Sequence, residues 1–277
     1  MTFDPLLYPL LAALAMAVAC AVLSVLIVPQ RWTFIGEGIG HSGMGGAGTA
    51  WIIGLIFPTI NLERLAPLMI VAFCLATAVG IGFFTRRQRV NSDAAIGIFL
   101  VASLAWGLLA NNIYFHFRSS SPVGYNALLW GNSASITPRF ARASVATAGL
   151  VLFTLFAFKK EILSYCLDET MAEVSGVPTR LIHYLLMILM AVTVLIGMPI
   201  VGSILVTAML ILPGTTASLL SDRLRGCTIW SMSIATVATL AGVLLNAWKS
   251  FLPVGPSIVL MLFVIFVCVY VFGRARA

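Results

Sequence analysis

Charge is what this chain of 277 residues has least of. Aspartate, glutamate, lysine and arginine together make up 9% of it, against about 25% in a typical soluble domain. A water-facing surface cannot be covered from that supply, so a soluble enzyme or binding module is excluded. Lysine is scarcest: only Lys159, Lys160 and Lys249 are present. None follows a G-x-x-x-x-G run, so the chain has no phosphate loop for ATP, and no H-E-x-x-H metalloprotease motif occurs either. If ATP drives this protein, another chain hydrolyses it. The five cysteines (Cys20, Cys74, Cys166, Cys227, Cys268) include no C-x-x-C pair. Four fall in apolar runs, so neither a disulfide nor a thiolate metal site is expected. A basic leader is missing too: the start, "MTFDPLLYPL", carries an acid there, and the first apolar run is long enough to span a membrane.

Apolar sequence is abundant. Hydrophobic residues make up 61% of the chain and the mean hydropathy is +1.06. A helix crosses the roughly 30 Å apolar slab of a bilayer with about 20 such residues. Runs of that kind lie near 6–28, 33–57, 66–84, 94–113, 141–158, 181–200, 201–220, 227–248 and 255–272. Between Arg180 and Asp222 there is no charge, and Gly197, Pro199 and Gly202 mark a break between two spans there. None of the runs alternates apolar with polar residues as a barrel strand would. The fold class is therefore all-α: a polytopic transmembrane helix bundle of eight or nine spans, forming a single domain over 1–277. Eight applies if the runs either side of Gly202 form one broken helix, or if the loop 114–140 packs differently.

The net charge of +7 reflects topology, not a nucleic-acid footprint. With nine spans, 11 of the 16 basic residues follow odd-numbered spans. The positive-inside rule then puts the N-terminus outside and the C-terminus in the cytoplasm. Two loops are long. In 114–140, on the outer side and containing His116, the segment "YNALLWGN" suits a re-entrant half-helix covered by protein. The cytoplasmic loop 159–180 holds Glu161, Asp168, Glu169 and Glu173. There "LDETMAEVSG" forms a short helix with Asp168 at its N-cap, Glu169 in its first turn and Gly176 as its stop. It is either a solvated connector or a docking knob for a soluble partner.

The segment "GEGIGHSGMGGAG" (36–48) carries the chemistry. Helical spacing puts Glu37 and His41 on one face, and Gly45 and Gly48 continue that stripe. A carboxylate with an imidazole suits zinc or manganese. Two ligands do not close a shell, so water, Ser42 or a second copy of the chain would complete it. Incompleteness suits a site from which an ion must leave. The glycines, Gly36 and Gly40 among them, allow close helix approach and would leave the Glu37/His41 face open. The alternative is an intramembrane hydrogen-bonded pair, although ionised groups in spans cost about 2.5 kcal/mol or more and mark function. Asp93 reads as a helix N-terminal acid, and His183 as a packing or interfacial residue. Asn111, Asn112 and Asn246 either bridge helices or line a path.

Four segments in order resemble the permease subunits of ATP-binding-cassette importers for zinc, manganese or iron (the metal ABC-3 permeases). They are "RWTFIGEGIGHSGMGG", "GYNALLWGN", "LDETMAEVSGVPTR" and "PIVGSILVTAMLILPGTTASLL". The resemblance covers essentially the whole chain and departs at Glu37, where aspartate is commoner, and at Met44-Gly45, where Leu-Pro is frequent. It implies a multi-pass protein of the bacterial cytoplasmic membrane with no resident cofactor. It also implies a second permease copy or paralogue, a cytoplasmic ABC ATPase and an extracytoplasmic metal-binding protein, with no nucleic-acid partner. By resemblance Glu37 and His41 contact the ion, while Asp168, Glu169, Glu173 and Gly176 belong to the segment that meets the ATPase. The competing function is a secondary transporter coupled to protons or sodium, with Glu37 as its proton site. An intramembrane hydrolase lacks a nucleophile–base set.

Overall fold

The computed structural model describes residues 7–86, 91–118, 137–248 and 253–273, and the described residues form helices without a strand. The chain runs α1 (Leu7–Ile27), α2 (Ile35–Ile56), α3 (Leu62–Arg86), α4 (Ser92–Arg118), α5 (Pro138–Ala157), α6 (Lys159–Leu167), α7 (Glu169–Val174), α8 (Thr179–Val201), α9 (Ser203–Leu220), α10 (Leu224–Trp248) and α11 (Val254–Gly273). The nine apolar runs each overlie one long helix. Eight of these are long and apolar enough to cross a membrane. The other is α2, where eight of 22 residues are glycine, which lowers hydropathy without preventing burial.

Polarity misjudged some ends. Helix α4 continues through Asn112 and His116 to Arg118, so His116 sits in a last helical turn instead of a loop. Thr137 caps α5 through its hydroxyl, which accepts from Phe140 N. Pro138 follows at the position where its fixed φ suits a helix start. The loop 114–140 is thereby shortened at both ends, and the "YNALLWGN" half-helix lies outside the described residues. Asp93 falls in the first turn of α4, as its spacing predicts. The expected break is at Gly202 alone (φ 89°, ψ 158°), with Pro199 still inside α8. That backbone is strained for any residue with a Cβ. The chain folds back there: a Cβ on Gly197 would meet Val206 Cγ2 at 2.6 Å.

The helices form two groups. Helix α2 packs chiefly on α3 and α4, whereas α1 packs on α5, α9 and α10, with α11 against α9 and α10. Helices α8 and α9 bridge the groups, touching α1 and α2 alike. Within the first group small residues set the spacing. Gly48 lies against Ala110 and Gly107 of α4, and a Cβ on Gly107 would meet the Met44 carbonyl at 2.9 Å. Such close approach suits helices packing in lipid, where no hydrophobic drive favours one helix partner over another. In the second group Pro213 interrupts α9, and Ser24 of α1 repairs the gap by accepting from Gly214 N at 2.9 Å.

Candidate functional site

Helix α2 begins after a tight turn in which Arg31 takes a left-handed conformation (φ 59°). Within the first two turns Glu37 Oε1 and His41 Nε2 lie 2.8 Å apart, so the i,i+4 pairing read from the sequence is formed. With Glu37 as a carboxylate, Nε2–H must donate, and the lone pair then sits on Nδ1. That Nδ1 is buried and has no hydrogen-bond partner. The pair keeps an opening: the side chains are 25% exposed for Glu37 and 13% for His41.

The surroundings come from α9. A Cβ on Gly36 would meet Leu210 Cδ1 at 2.9 Å, and one on Gly40 would meet Ser203 Cβ at 3.1 Å. The Thr207 hydroxyl lies beside the Glu37 carboxylate while donating to the Ser203 carbonyl at 3.1 Å. Ser203 Oγ is buried and unpartnered. Neither residue was legible as a site residue, because nothing in the spacing of α9 registers it against α2. The pair therefore sits on the seam between the two helix groups.

Two expectations fail. Ser42 does not complete the pair, because the next residue along a helix is turned about 100° away. Its hydroxyl donates to the Ile39 carbonyl at 2.6 Å and lies against Cys74 of α3. Gly45 and Gly48 do not hold the stripe open either. Gly45 is closed by Phe73 and the Ser103 carbonyl, and Gly48 by α4. Absence of a side chain here has let a neighbouring helix move in. Among the described residues, no group of three or more histidines, cysteines or acids could hold a metal ion. The five cysteines are free thiols.

The second candidate region is the segment after α5. It holds two helices where one was expected, because Lys159–Leu167 coils into α6. Helix α7 follows the local signals. Asp168 caps it, its carboxylate accepting from Met171 N at 3.0 Å. Gly176 (φ 82°) ends it, with Val177 N bonded to Ala172 O and Gly176 N to Glu173 O, the paired carbonyl closure of a Schellman turn. Ala172 is buried, while Leu167, Met171 and Val174 are 75%, 63% and 80% exposed. Glu169 and Glu173 are exposed beside them. Only a contact of 3.7 Å joins Glu169 to Arg86 at the end of α3, worth at most about 1 kcal/mol for an exposed pair.

Stronger ties hold this segment to the bundle. Gln30 Nε2, in the α1–α2 turn, donates to the Cys166 carbonyl at 2.6 Å. The Tyr165 hydroxyl lies 2.8 Å from His183 Nδ1, and His183 Nε2 lies 3.0 Å from the Gly82 carbonyl. A carbonyl only accepts, so Nε2 carries the hydrogen and Nδ1 accepts from Tyr165. Burial, and then the nearby Glu169 charge, push the Tyr165 phenol above its ordinary range, so it keeps the proton this bond needs. Burial likewise pushes the Cys166 thiol up to about 11. A maleimide at neutral pH should therefore leave Cys166 unlabelled in the folded protein and react with it after denaturation, as mass analysis would register. The edge of the Trp32 ring meets the His183 ring at 5.1 Å. His183 is thus a buried hub joining α6, α3 and the turn that leads into α2, the packing residue of the sequence reading with partners that the sequence did not name. The same contacts gather the ends of α1, α3 and α6 and the start of α8 at one end of the bundle.

Known proteins resemble this chain in sequence and in fold. The chain is 30% identical to the "Probable iron transport system membrane protein" of Haemophilus influenzae, over 99% of both chains. It is 28% identical to the "Manganese transport system membrane protein MntC" of Halalkalibacterium halodurans, over 99% of this chain and 89% of that one. The solved structure of PsaBC from Streptococcus pneumoniae in complex with Fab matches with a TM-score of 0.78 and 26% identity, covering 96% of this chain and 91% of that chain. The sequence profile of the ABC 3 transport family matches residues 2–273, and the chain belongs to that family.

Proposed function

We propose that the chain is the membrane-spanning permease of an ATP-driven importer for a divalent transition metal. The names of its relatives favour manganese or iron as cargo over zinc. The observation that carries the reading is the Glu37–His41 pair on the seam between two helix groups, with His41 Nδ1 buried and unpartnered. Carboxylate oxygen and imidazole nitrogen suit first-row divalent ions, and a two-residue site releases them easily. Water, Thr207 and the second permease copy or paralogue supply the remaining ligands. A tilt of one group against the other would open the pair to alternate sides.

The whole chain acts as one transmembrane domain, N-terminus outside and C-terminus in the cytoplasm of the inner membrane, with 159–180 as its coupling segment. Helix α7, fixed at both ends by Asp168 and Gly176, presents Met171, Val174, Glu169 and Glu173 to a separate cytoplasmic ABC ATPase. A metal-binding protein delivers the ion from outside. The Tyr165–His183–Trp32 contacts pass movement of α6 and α7 to the start of α2.

Two variants test the coupling. Met171→Glu with Val174→Glu changes only exposed side chains, and the co-purifying ATPase should be lost while the permease stays folded and monodisperse. Tyr165→Phe leaves His183 Nδ1 without its donor, a loss of about 1–3 kcal/mol. The ATPase should still co-purify, but metal accumulation should fall on the order of tenfold, a step of about 1.4 kcal/mol. A purified permease that transports metal with no ATPase present would replace this reading with a secondary transporter using Glu37 as its proton site.

A further inference from the structure

We propose that the groove between α1, α5, α6 and α10 is a binding site for an anionic phospholipid. The groove encloses about 800 Å³ and is walled by apolar side chains, among them Val25, Leu152, Leu155 and Met232. Two cations, Lys159 and Arg225, line it, and no acid does. Among the described residues the ion pairs are Glu37–His41 and Arg86–Glu169, so neither cation is paired with an acid there.

Their position explains what they await. Lys159 opens α6 directly after the span of α5, and Arg225 is the second residue of α10, so both sit where apolar helix meets polar boundary. From Lys159 back to Leu152, and from Arg225 forward to Met232, each wall descends seven residues. At 1.5 Å per residue that is about 10 Å into the apolar slab. A headgroup phosphate between the cations would leave its acyl chain lying down that furrow. The first-turn N–H groups of α10 add to the attraction for an anion. The groove faces lipid, since its neighbours Phe153, Phe156 and Ile229 are 68%, 76% and 65% exposed. Basic pockets between spanning helices are a known way of selecting anionic lipids. The site lies apart from Glu37 and His41 and does not rest on the identity of the cargo.

Native mass spectrometry of the full chain, purified in mild detergent, tests this. Phosphatidylglycerol and phosphatidylcholine with identical acyl chains are titrated separately. The wild type should prefer phosphatidylglycerol by roughly thirtyfold, the expected effect of two cations near an anionic headgroup. Lys159→Gln with Arg225→Gln should abolish that preference and leave phosphatidylcholine adducts unchanged. Thr228→Trp, which fills the groove and keeps both cations, should lose the tightest adduct of either lipid. Equal retention of the two lipids by the wild type, or an intact preference in the double variant, would overturn the proposal. So would a double variant that binds lipid normally but dissociates a permease dimer, which would make the groove a subunit interface.

Discussion

Glu37→Gln and His41→Ala each abolish metal accumulation in cells that carry the variant as their only copy, with a drop of about a hundredfold or more. The size of the drop follows from the setting. A divalent ion crossing the bilayer exchanges water for fixed ligands, and unpaired charge there is expensive. Removing one partner of a hydrogen bond to a charged group costs about 1.5–3 kcal/mol, and about 2.7 kcal/mol is already a hundredfold. Glutamine keeps the shape of Glu37 and removes only its charge, which separates electrostatics from packing. Glu37→Asp keeps the charge one methylene further back, so it retains part of the uptake and changes the preference among metals. All three variants keep their ATPase, because α7 is built from residues remote in sequence and untouched by them. Normal accumulation in both Glu37→Gln and His41→Ala would remove the pair from the pathway.

Gly46→Ala disrupts the α2–α3 contact and lowers stability by about 1–3 kcal/mol, the usual cost of overpacking. The added Cβ would lie 2.5 Å from the Met69 carbonyl oxygen and 2.8 Å from Ile70 Cα. Both are backbone atoms, so relief requires moving a helix. Gly43→Ala provides the contrast. Its Cβ would meet Met198 Cε at 3.1 Å, and a flexible thioether can turn aside. Thermal unfolding of the two variants in the same detergent should show a clear loss for Gly46→Ala and little change for Gly43→Ala. Equal midpoints would mean that α2 is not held by close backbone approach.

The contrast shows what sequence could and could not reveal. The long helices among the described residues were legible, as eight or nine spans, because each writes its signal locally, in a mainly apolar run. Asp168 and Gly176 were legible for the same reason, since a cap and a left-handed stop act within one helical turn. The Glu37–His41 bond followed from i,i+4 spacing alone. Errors arose wherever local polarity was taken for local geometry. His116 suggested a loop, yet the backbone ladder of α4 continues past it to Arg118. Lys159 and Lys160 suggested the same and instead open α6. Ser42 adjoins His41 in sequence, but one residue along a helix is a different face. Contacts between distant segments left no local mark. Ser203 and Thr207 reach α2 because the chain folds back at Gly202, and Tyr165 reaches His183 because the α7 turn folds α6 onto the start of α8.

The central claim is that the passing ion touches Glu37 and His41. Metal-edge X-ray absorption on the purified transporter loaded with manganese addresses it directly. The wild type should show outer-shell scattering from one imidazole, and His41→Ala should lose it while Glu37→Asp keeps it. Because His116 and His183 remain in every variant, an imidazole signal that survives His41→Ala, or none in the wild type, would contradict the account.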